Sequence, residues 1–248
     1  MGSPAREPFL RNTESWRPTK LRLGRDGRLI VPGARGAVAP GSIGVAALVM
    51  HWYAGQLPKH ARGRLLDLGC GKVPLYPLYA PHVDEVLCAD WPNSLHGQAF
   101  LDFACDLGTG VPLADGSVDT VIASDVLEHV FRPRLVLAEI FRILKPGGAA
   151  LINVPMLYCV HEAPHDYFRY TQFAVAALAE EAGFKVETVD PLGGKLLALA
   201  DIAGKLLQGL GPLAPLAGLV QCGALALSGP MPRSKKFPLD VAAVLIKP

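Results

Sequence analysis

The stretch 161–171, HEAPHDYFRYT, concentrates two imidazoles, two carboxylates, a guanidinium and two phenols in eleven residues. His161-Glu162-Ala163-Pro164-His165 fits the pattern H-E-x-x-H, in which two histidines one helical turn apart hold zinc and the glutamate works as a base. That chemistry needs an unbroken helical turn. Pro164 lacks an N–H and disfavours a helical Ala163 before it, and the stretch lies between strand-like ALINVP and Thr171, a good helix N-cap, so a loop is expected instead. A second acid-and-histidine pattern lies in DVLEH, where Asp125, Glu128 and His129 share a face only if the segment is already helical. The expectation there is a hydrogen-bonding His129 at a strand-to-helix turn, and no metal is assigned at either pattern.

A third group of residues points to a nucleoside. LLDLGCGKVPLY puts Asp67, Gly69, Cys70 and Gly71 at the end of a strand, where two glycines let the backbone approach a ligand. Asp90 ends the next strand, from where a carboxylate can accept hydrogen bonds from both ribose hydroxyls. A dinucleotide fingerprint would continue to a third glycine, but Pro74 stands in its place. The ammonium and sulfonium of S-adenosylmethionine suit an acidic Asp67 beside the loop, which favours that cofactor over NAD. Asp67 as a simple helix cap is the bland alternative.

These groups need a scaffold that presents strand ends side by side. Apolar runs at 64–69, 84–89, 118–124 and 149–154 have the length and continuity of strands buried on both faces, with 99–103 a weaker candidate and 184–190 and 239–248 following near the chain end. Helical patterns alternate with them: one from Pro133, ended by Pro146-Gly147-Gly148, and one from Thr171 to Gly183. A further helix is expected over 42–57, capped by Ser42 and stopped by Pro58. The reading is an α/β fold with a largely parallel sheet.

With LLDLGCG, VLCADW, CDL, VDTVIASDVLEHV and RILKPGG in this order over about 60–190, the chain resembles the class I S-adenosylmethionine-dependent methyltransferases, and more narrowly the type 11 group. The resemblance implies a doubly wound Rossmann-like sheet of seven strands in the order 3-2-1-4-5-7-6, the last strand antiparallel. It also implies that Asp67, Gly69, Cys70 and Gly71 surround the methionine part of S-adenosyl-L-methionine, that Asp90 holds the ribose, and that Trp91 lies against the adenine unless it is a core aromatic. Asp106 and Leu107 would read the adenine edge, and Ser124 and Asp125 would line the methionine end. The family loop often carries a further glycine where this chain has Val73. DVLEH is also similar to the E-x-x-E-H metal element of ubiquinone-type O-methyltransferases, with Asp in place of the first Glu.

In this architecture the residues just after the strands face the ligand, so HEAPHDYFRYT becomes an acceptor-side loop. Methyl transfer from a sulfonium is an in-line displacement that leaves the protein to align the acceptor and, for O–H or N–H, to remove a proton. His161 and His165 are the candidate bases, with Asp166 orienting one of them. Arg169 either holds an anionic acceptor group or pairs with Asp166 to fix the loop. Tyr158, Tyr167 and Tyr170 are candidates for an apolar wall with polar tips. The expected reaction is methylation of O or N on a small-molecule acceptor with some apolar area. An S-adenosylmethionine-binding protein without turnover is the alternative, and an NAD-linked oxidoreductase a more distant one.

Bulk properties set the remaining bounds. Among 248 residues, 24 Lys and Arg against 22 Asp and Glu give net +2, with no basic stripe to recruit nucleic acid. Five cysteines without paired short spacing suggest free thiols and a cytoplasmic setting. Residues 1–15 read as a mobile lead-in, and 16–248 as one domain in which 16–60 and an apolar helical insertion at 191–238 cover the acceptor side. Residues 206–232 carry no charge, but their glycines and prolines argue for a buried or interfacial helical hairpin rather than a straight span. That segment is where peripheral membrane contact or a homodimer surface is expected.

Overall fold

The computed structural model describes residues 38–248 except Gly97 and Pro230, together with the backbone of Arg22–Leu23 and Leu29–Ile30, which pair antiparallel. The expected lead-in at 1–15, and most of 16–37, lie outside the described residues.

Seven strands form one sheet: β1 (Arg64–Leu68), β2 (Glu85–Asp90), β3 (Phe103–Ala104), β4 (Val118–Ser124), β5 (Leu144–Pro155), β6 (Lys185–Leu192) and β7 (Asp240–Ile246). Their order is β3-β2-β1-β4-β5-β7-β6, with β7 antiparallel to both neighbours and the other pairs parallel. This is the expected order. Successive side chains on a strand point to opposite faces. Leu65, Ile122, Leu151 and Val244 accordingly enter one core, and Leu66, Val121, Ile152 and Leu245 the other.

The second core is closed by α3 (Pro133–Ile143) and α4 (Gln172–Glu181), through Val136, Leu137 and Ile140 of α3 and Val175 and Ala179 of α4. Thr171 caps α4 as expected, its hydroxyl accepting from Ala174 N at 3.2 Å. The end of α3 comes earlier than Pro146: Leu144 already pairs with Val118, and the register shifts before Thr120 pairs with Ala149. Pro146 and Gly147 (φ 75°) sit in the resulting bulge. Lys247 of the chain end reaches back to the carbonyls of Phe141 and Leu144, at 2.7 and 2.8 Å, satisfying orphan acceptors where α3 ends.

The first core is covered by α1 (Ile43–His60), the short α2 (Tyr76–Tyr79), α5 (Lys195–Gln208) and α6 (Ala214–Ser228). Two expectations for α1 need correction. Pro58 does not stop it, because a proline near the end forfeits one bond while the helix continues to His60, and Ala61 N then closes on Leu57 O. Nor does Ser42 cap it, since the hydroxyl bonds the phenol of Tyr158 at 2.9 Å.

The insertion forms a helical hairpin. Gln221 of α6 is fully buried and ties it down, donating to Gly41 O (3.1 Å) and Ala200 O (2.9 Å) and accepting from Gly44 N (3.0 Å). Its outer side leaves Leu199, Leu206, Leu219 and Leu227 exposed, and 211–228 is long and apolar enough to cross a membrane by length and composition.

Candidate active site

The carboxyl ends of β1, β2, β4 and β5 open into a cavity of about 1040 Å³. Gly69 and Gly71 turn the chain here with φ of 73° and 52°. A Cβ on Gly69 would meet Val126 Cγ2 at 2.4 Å, so only glycine fits that turn. Val73 has a φ of 48° and is fully buried, so the chain takes with a β-branched residue the left-handed conformation that glycine favours.

All ten residues expected to hold the cofactor line this one cavity: Asp67, Gly69, Cys70, Gly71, Asp90, Trp91, Asp106, Leu107, Ser124 and Asp125. Asp90 accepts from Gly71 N (3.1 Å), Trp91 N (2.7 Å) and Ser94 Oγ (3.0 Å), which binds the glycine loop to the end of β2. Asp67 is buried and accepts from Tyr79 OH at 2.9 Å; burial, with Asp90 nearby, pushes its carboxyl up to about 7. Tyr79 rather than a helix end is its partner. Trp91 is 36% exposed and stands edge-on to His165, so it forms wall rather than core. Asp106 accepts from Gly108 N at 2.8 Å, shaping the turn after β3.

The stretch 161–170 is a loop, and its two histidines diverge. His161 is half-buried, with Nδ1 3.3 Å from Asp166 Oδ2 and Nε2 directed at Glu128; burial and the neighbouring His129 hold its pKa below the usual imidazole value. His165 is exposed and its Nδ1 meets Tyr167 OH at 3.1 Å. Both line the cavity, as do Tyr158 and Tyr167.

Of the candidate acceptor contacts, Arg169 takes the loop-fixing alternative and Tyr170 turns away from the cavity. Every nitrogen of Arg169 is committed within the loop: a bidentate pair to Asp166 (2.6 and 2.7 Å), and carbonyls of Tyr158, Cys159 and Phe168. This fixes the loop, leaves no fork for an acceptor anion, and keeps Asp166 below the usual carboxylate range. Tyr170 is buried in the second core with its hydroxyl on Leu127 O (3.0 Å), away from the cavity wall. Its ring follows the loop inward as α4 begins.

Other residues complete the wall beyond the expected cofactor and acceptor contacts. Glu128 and His129 of the turn at Leu127–His129 face His161, and Asn153 Nδ2 donates to Asp125 Oδ1 at 2.8 Å. Asp125 itself has a φ of 54°. Ser42, Val45, Ala46, Val49 and Met50 of the N-terminal cover form an apolar side. The insertion does not line the cavity among the described residues. It backs α1, and reaches the site at one remove, with Lys205 Nζ 3.9 Å from the centre of the Tyr158 ring. Gln221 holds the hairpin against α1 and the glycines at 41 and 44.

Residues 66–152 match the type 11 methyltransferase domain family. Over 150 residues the chain is 30% identical to a protein of Mycolicibacterium smegmatis named "Probable S-adenosylmethionine-dependent methyltransferase", a stretch covering 56% of this chain and 58% of that protein. An uncharacterized methyltransferase of Mycobacterium ulcerans is 35% identical over 109 residues, 41% of this chain and 43% of its own. The chain thus spans about half the length of the curated relatives it matches. Residues 66–152 form a class I methyltransferase domain of the type 11 group.

S-adenosyl-L-methionine is the cofactor this family uses, and the ten lining residues fit it: two glycine turns for close approach, a carboxylate for the ribose hydroxyls, and a buried acid for the cationic end. Solved structures with the methyltransferase fold include a [4+2]-cyclase, SpnF, with a TM-score of 0.55 at 17% identity, covering 82% of this chain and 81% of that one. A methyltransferase from Archaeoglobus fulgidus has a TM-score of 0.53 at 16% identity, covering 82% and 93%. At these identities the likeness concerns the fold alone.

Proposed function

We propose that the protein transfers a methyl group from S-adenosylmethionine to an O or N atom of a small-molecule acceptor, with Nε2 of His161 taking the acceptor proton. One observation carries this reading: the cavity that joins the ten cofactor residues also contains His161, whose Nδ1 is oriented by a buried carboxylate. Proton removal needs a neutral imidazole, and the depressed pKa of His161 supplies one at neutral pH. Asp166 holds the ring as Arg169 holds Asp166, so the base is positioned before the acceptor arrives. His165 stands at the rim with Trp91 and Tyr167, a place suited to shaping the entrance.

The apolar side formed by α1 supports an acceptor with hydrophobic area. In-line displacement then needs the acceptor atom behind the methyl group, with its proton within reach of Nε2. The test is transfer of labelled methyl to a panel of phenols, amines and hydroxy acids by chelator-treated protein, with His161→Gln and His165→Gln alongside. His161→Gln is expected to lower turnover at least about 100-fold while S-adenosylhomocysteine still binds. Binding without turnover of any acceptor would favour a protein that holds the cofactor for another purpose. Calorimetric binding of NADH but not S-adenosylhomocysteine would overturn the reading outright.

A further inference from the structure

Neither acid-and-histidine pattern forms a metal site by itself, yet the fold joins half of each. Glu128 and His129 lie on the turn that follows β4, and His161 opens the loop that follows β5. Their ligand atoms lie within 4.8 Å of one another. Nε2 of His129 is 3.7 Å, and Nε2 of His161 3.9 Å, from the same atom, Oε1 of Glu128. The Glu128 side chain is wholly buried, and neither of its oxygens has a hydrogen-bond partner.

The outer nitrogens fix which way the lone pairs point. His129 Nδ1 is 2.8 Å from the carbonyl oxygen of His165, which can only accept, so Nδ1 carries the hydrogen. His161 Nδ1 lies 3.3 Å from Asp166 Oδ2, which Arg169 holds and which accepts from the backbone N of His161 at 2.9 Å, so the charge of Asp166 faces Nδ1 rather than Nε2. Both Nε2 atoms therefore face the same carboxyl oxygen of Glu128. Their separations exceed a hydrogen bond, so no shared proton accounts for them. A cation placed between them would satisfy all three at once.

We propose that Glu128, His129 and His161 bind one divalent transition-metal ion of the zinc type. Two imidazoles and one carboxylate suit such an ion better than Mg²⁺ or Ca²⁺, which prefer oxygen. Bonds of about 2.0–2.2 Å would draw the ligand atoms to about 3.4 Å apart in a tetrahedral site, a closure of a few tenths of an ångström for each histidine against Glu128 and of no more than about 1.4 Å for any pair. His129 anchored at Nδ1 by a carbonyl, and His161 with a carboxylate beside Nδ1, resemble the outer-shell arrangement that orients metal ligands. Asp125 is absent from the ligand set, as are Glu162 and His165, so neither sequence pattern predicts this combination.

All three ligands line the cavity, so the remaining coordination position faces the acceptor side. The inference rests on the reading of that cavity as the methyl-transfer site, and it alters what His161 does. An ion on Nε2 takes the lone pair a base would use. An acceptor hydroxyl would instead form a bond to the ion as its O–H bond breaks and the proton leaves to water. Acceptors with an oxygen donor beside an apolar ring or chain are then the favoured class.

The experiment uses full-length chelator-treated protein, titrated with Zn²⁺ alone by calorimetry and with Co²⁺ alone by visible absorption. One ion per chain is expected, with Co²⁺ bands of a low-coordinate N/O site. Glu128→Gln and His161→Gln should each weaken Zn²⁺ binding at least about 100-fold, and Asp166→Asn about 10- to 100-fold. His165→Gln, which keeps the backbone carbonyl, should leave it unchanged. S-adenosylhomocysteine binding is measured on the same samples as a check of folding and of the cofactor reading. Zn²⁺ uptake without S-adenosylhomocysteine binding would sink the cofactor reading and with it the ion's role toward an acceptor, while upholding the three ligands. The inference is overturned if folded wild type takes up no stoichiometric ion, if Glu128→Gln and His161→Gln bind as wild type does, or if His165→Gln alone abolishes binding.

Discussion

Asp67 links cofactor binding to pH. Its carboxyl is pushed from an ordinary 3.8 to about 7, with burial the largest cause, the Tyr79 hydroxyl opposing and Asp90 adding to it. For an acid this sign means that the folded protein holds a proton which the unfolded chain releases. Stability contributed by that proton is present at low pH and falls as pH rises from about 4 to about 7, a span corresponding to about 4 kcal/mol at most. A cationic ligand beside Asp67 reverses the preference, because it favours the carboxylate. If binding restores an ordinary pKa, about one-eleventh of the sites are ready at about pH 6 and about ten-elevenths at about pH 8. The dissociation constant of S-adenosylhomocysteine should therefore fall about tenfold between them, about 1.4 kcal/mol, with close to one proton released per ligand at the lower pH. Calorimetry in two buffers of different ionisation enthalpy measures both quantities. Asp67→Asn should abolish the slope and the proton release. A flat profile in the wild type, or an unchanged slope in Asp67→Asn, would refute the placement of Asp67 beside the cofactor's charge.

Two further outcomes follow from the contacts. Gln221→Leu leaves Gly44 N and Gly41 O without their buried partner, and should lower unfolding stability in urea by about 2–4 kcal/mol. A change below about 1 kcal/mol would show that the hairpin is not pinned there. Arg169→Lys loses the bidentate grip on Asp166 and most of the loop carbonyl bonds; it should cost about 2 kcal/mol and raise the KM for the acceptor while the affinity for S-adenosylhomocysteine changes less than about twofold. Equal loss of cofactor affinity would mean that Arg169 serves the cofactor half of the site.

The parts of this fold that were legible in the sequence are those set by short-range rules. Strands buried on both faces read as unbroken apolar runs, Thr171 and Pro133 start their helices, and the glycine loop and Asp90 are separated by one strand-to-strand crossover. The cofactor half follows from these because each residue sits at a strand end. The errors lie where a side chain had a distant alternative. Ser42 reads as a cap until Tyr158, 116 residues away, offers its hydroxyl a partner. Arg169 reads as either an acceptor contact or a partner of Asp166, and the loop closes on the second.

The loop at 161–165 shows why the acceptor half was harder. A spacing rule such as H-E-x-x-H assumes that the chain between the ligands is a helix, so Pro164 removes the rule along with the helix. It does not remove the imidazoles. In a doubly wound sheet the ends of β4 and β5 are neighbours, so residues 128, 129 and 161 meet although more than thirty positions separate them in the chain. Asn153 and Asp125 fix that approach from below, with Asp125 N on Asn153 O at 3.1 Å and Asn153 Nδ2 returning to Asp125 Oδ1. The two patterns failed separately because each lacked a helix, and a parallel strand pair supplies the juxtaposition that the helix would have given. Whether His161 takes a proton or holds an ion is then decided by one lone pair, and the metal titration of Glu128→Gln, a substitution that leaves the ring of His161 and its Asp166 partner in place, separates the two.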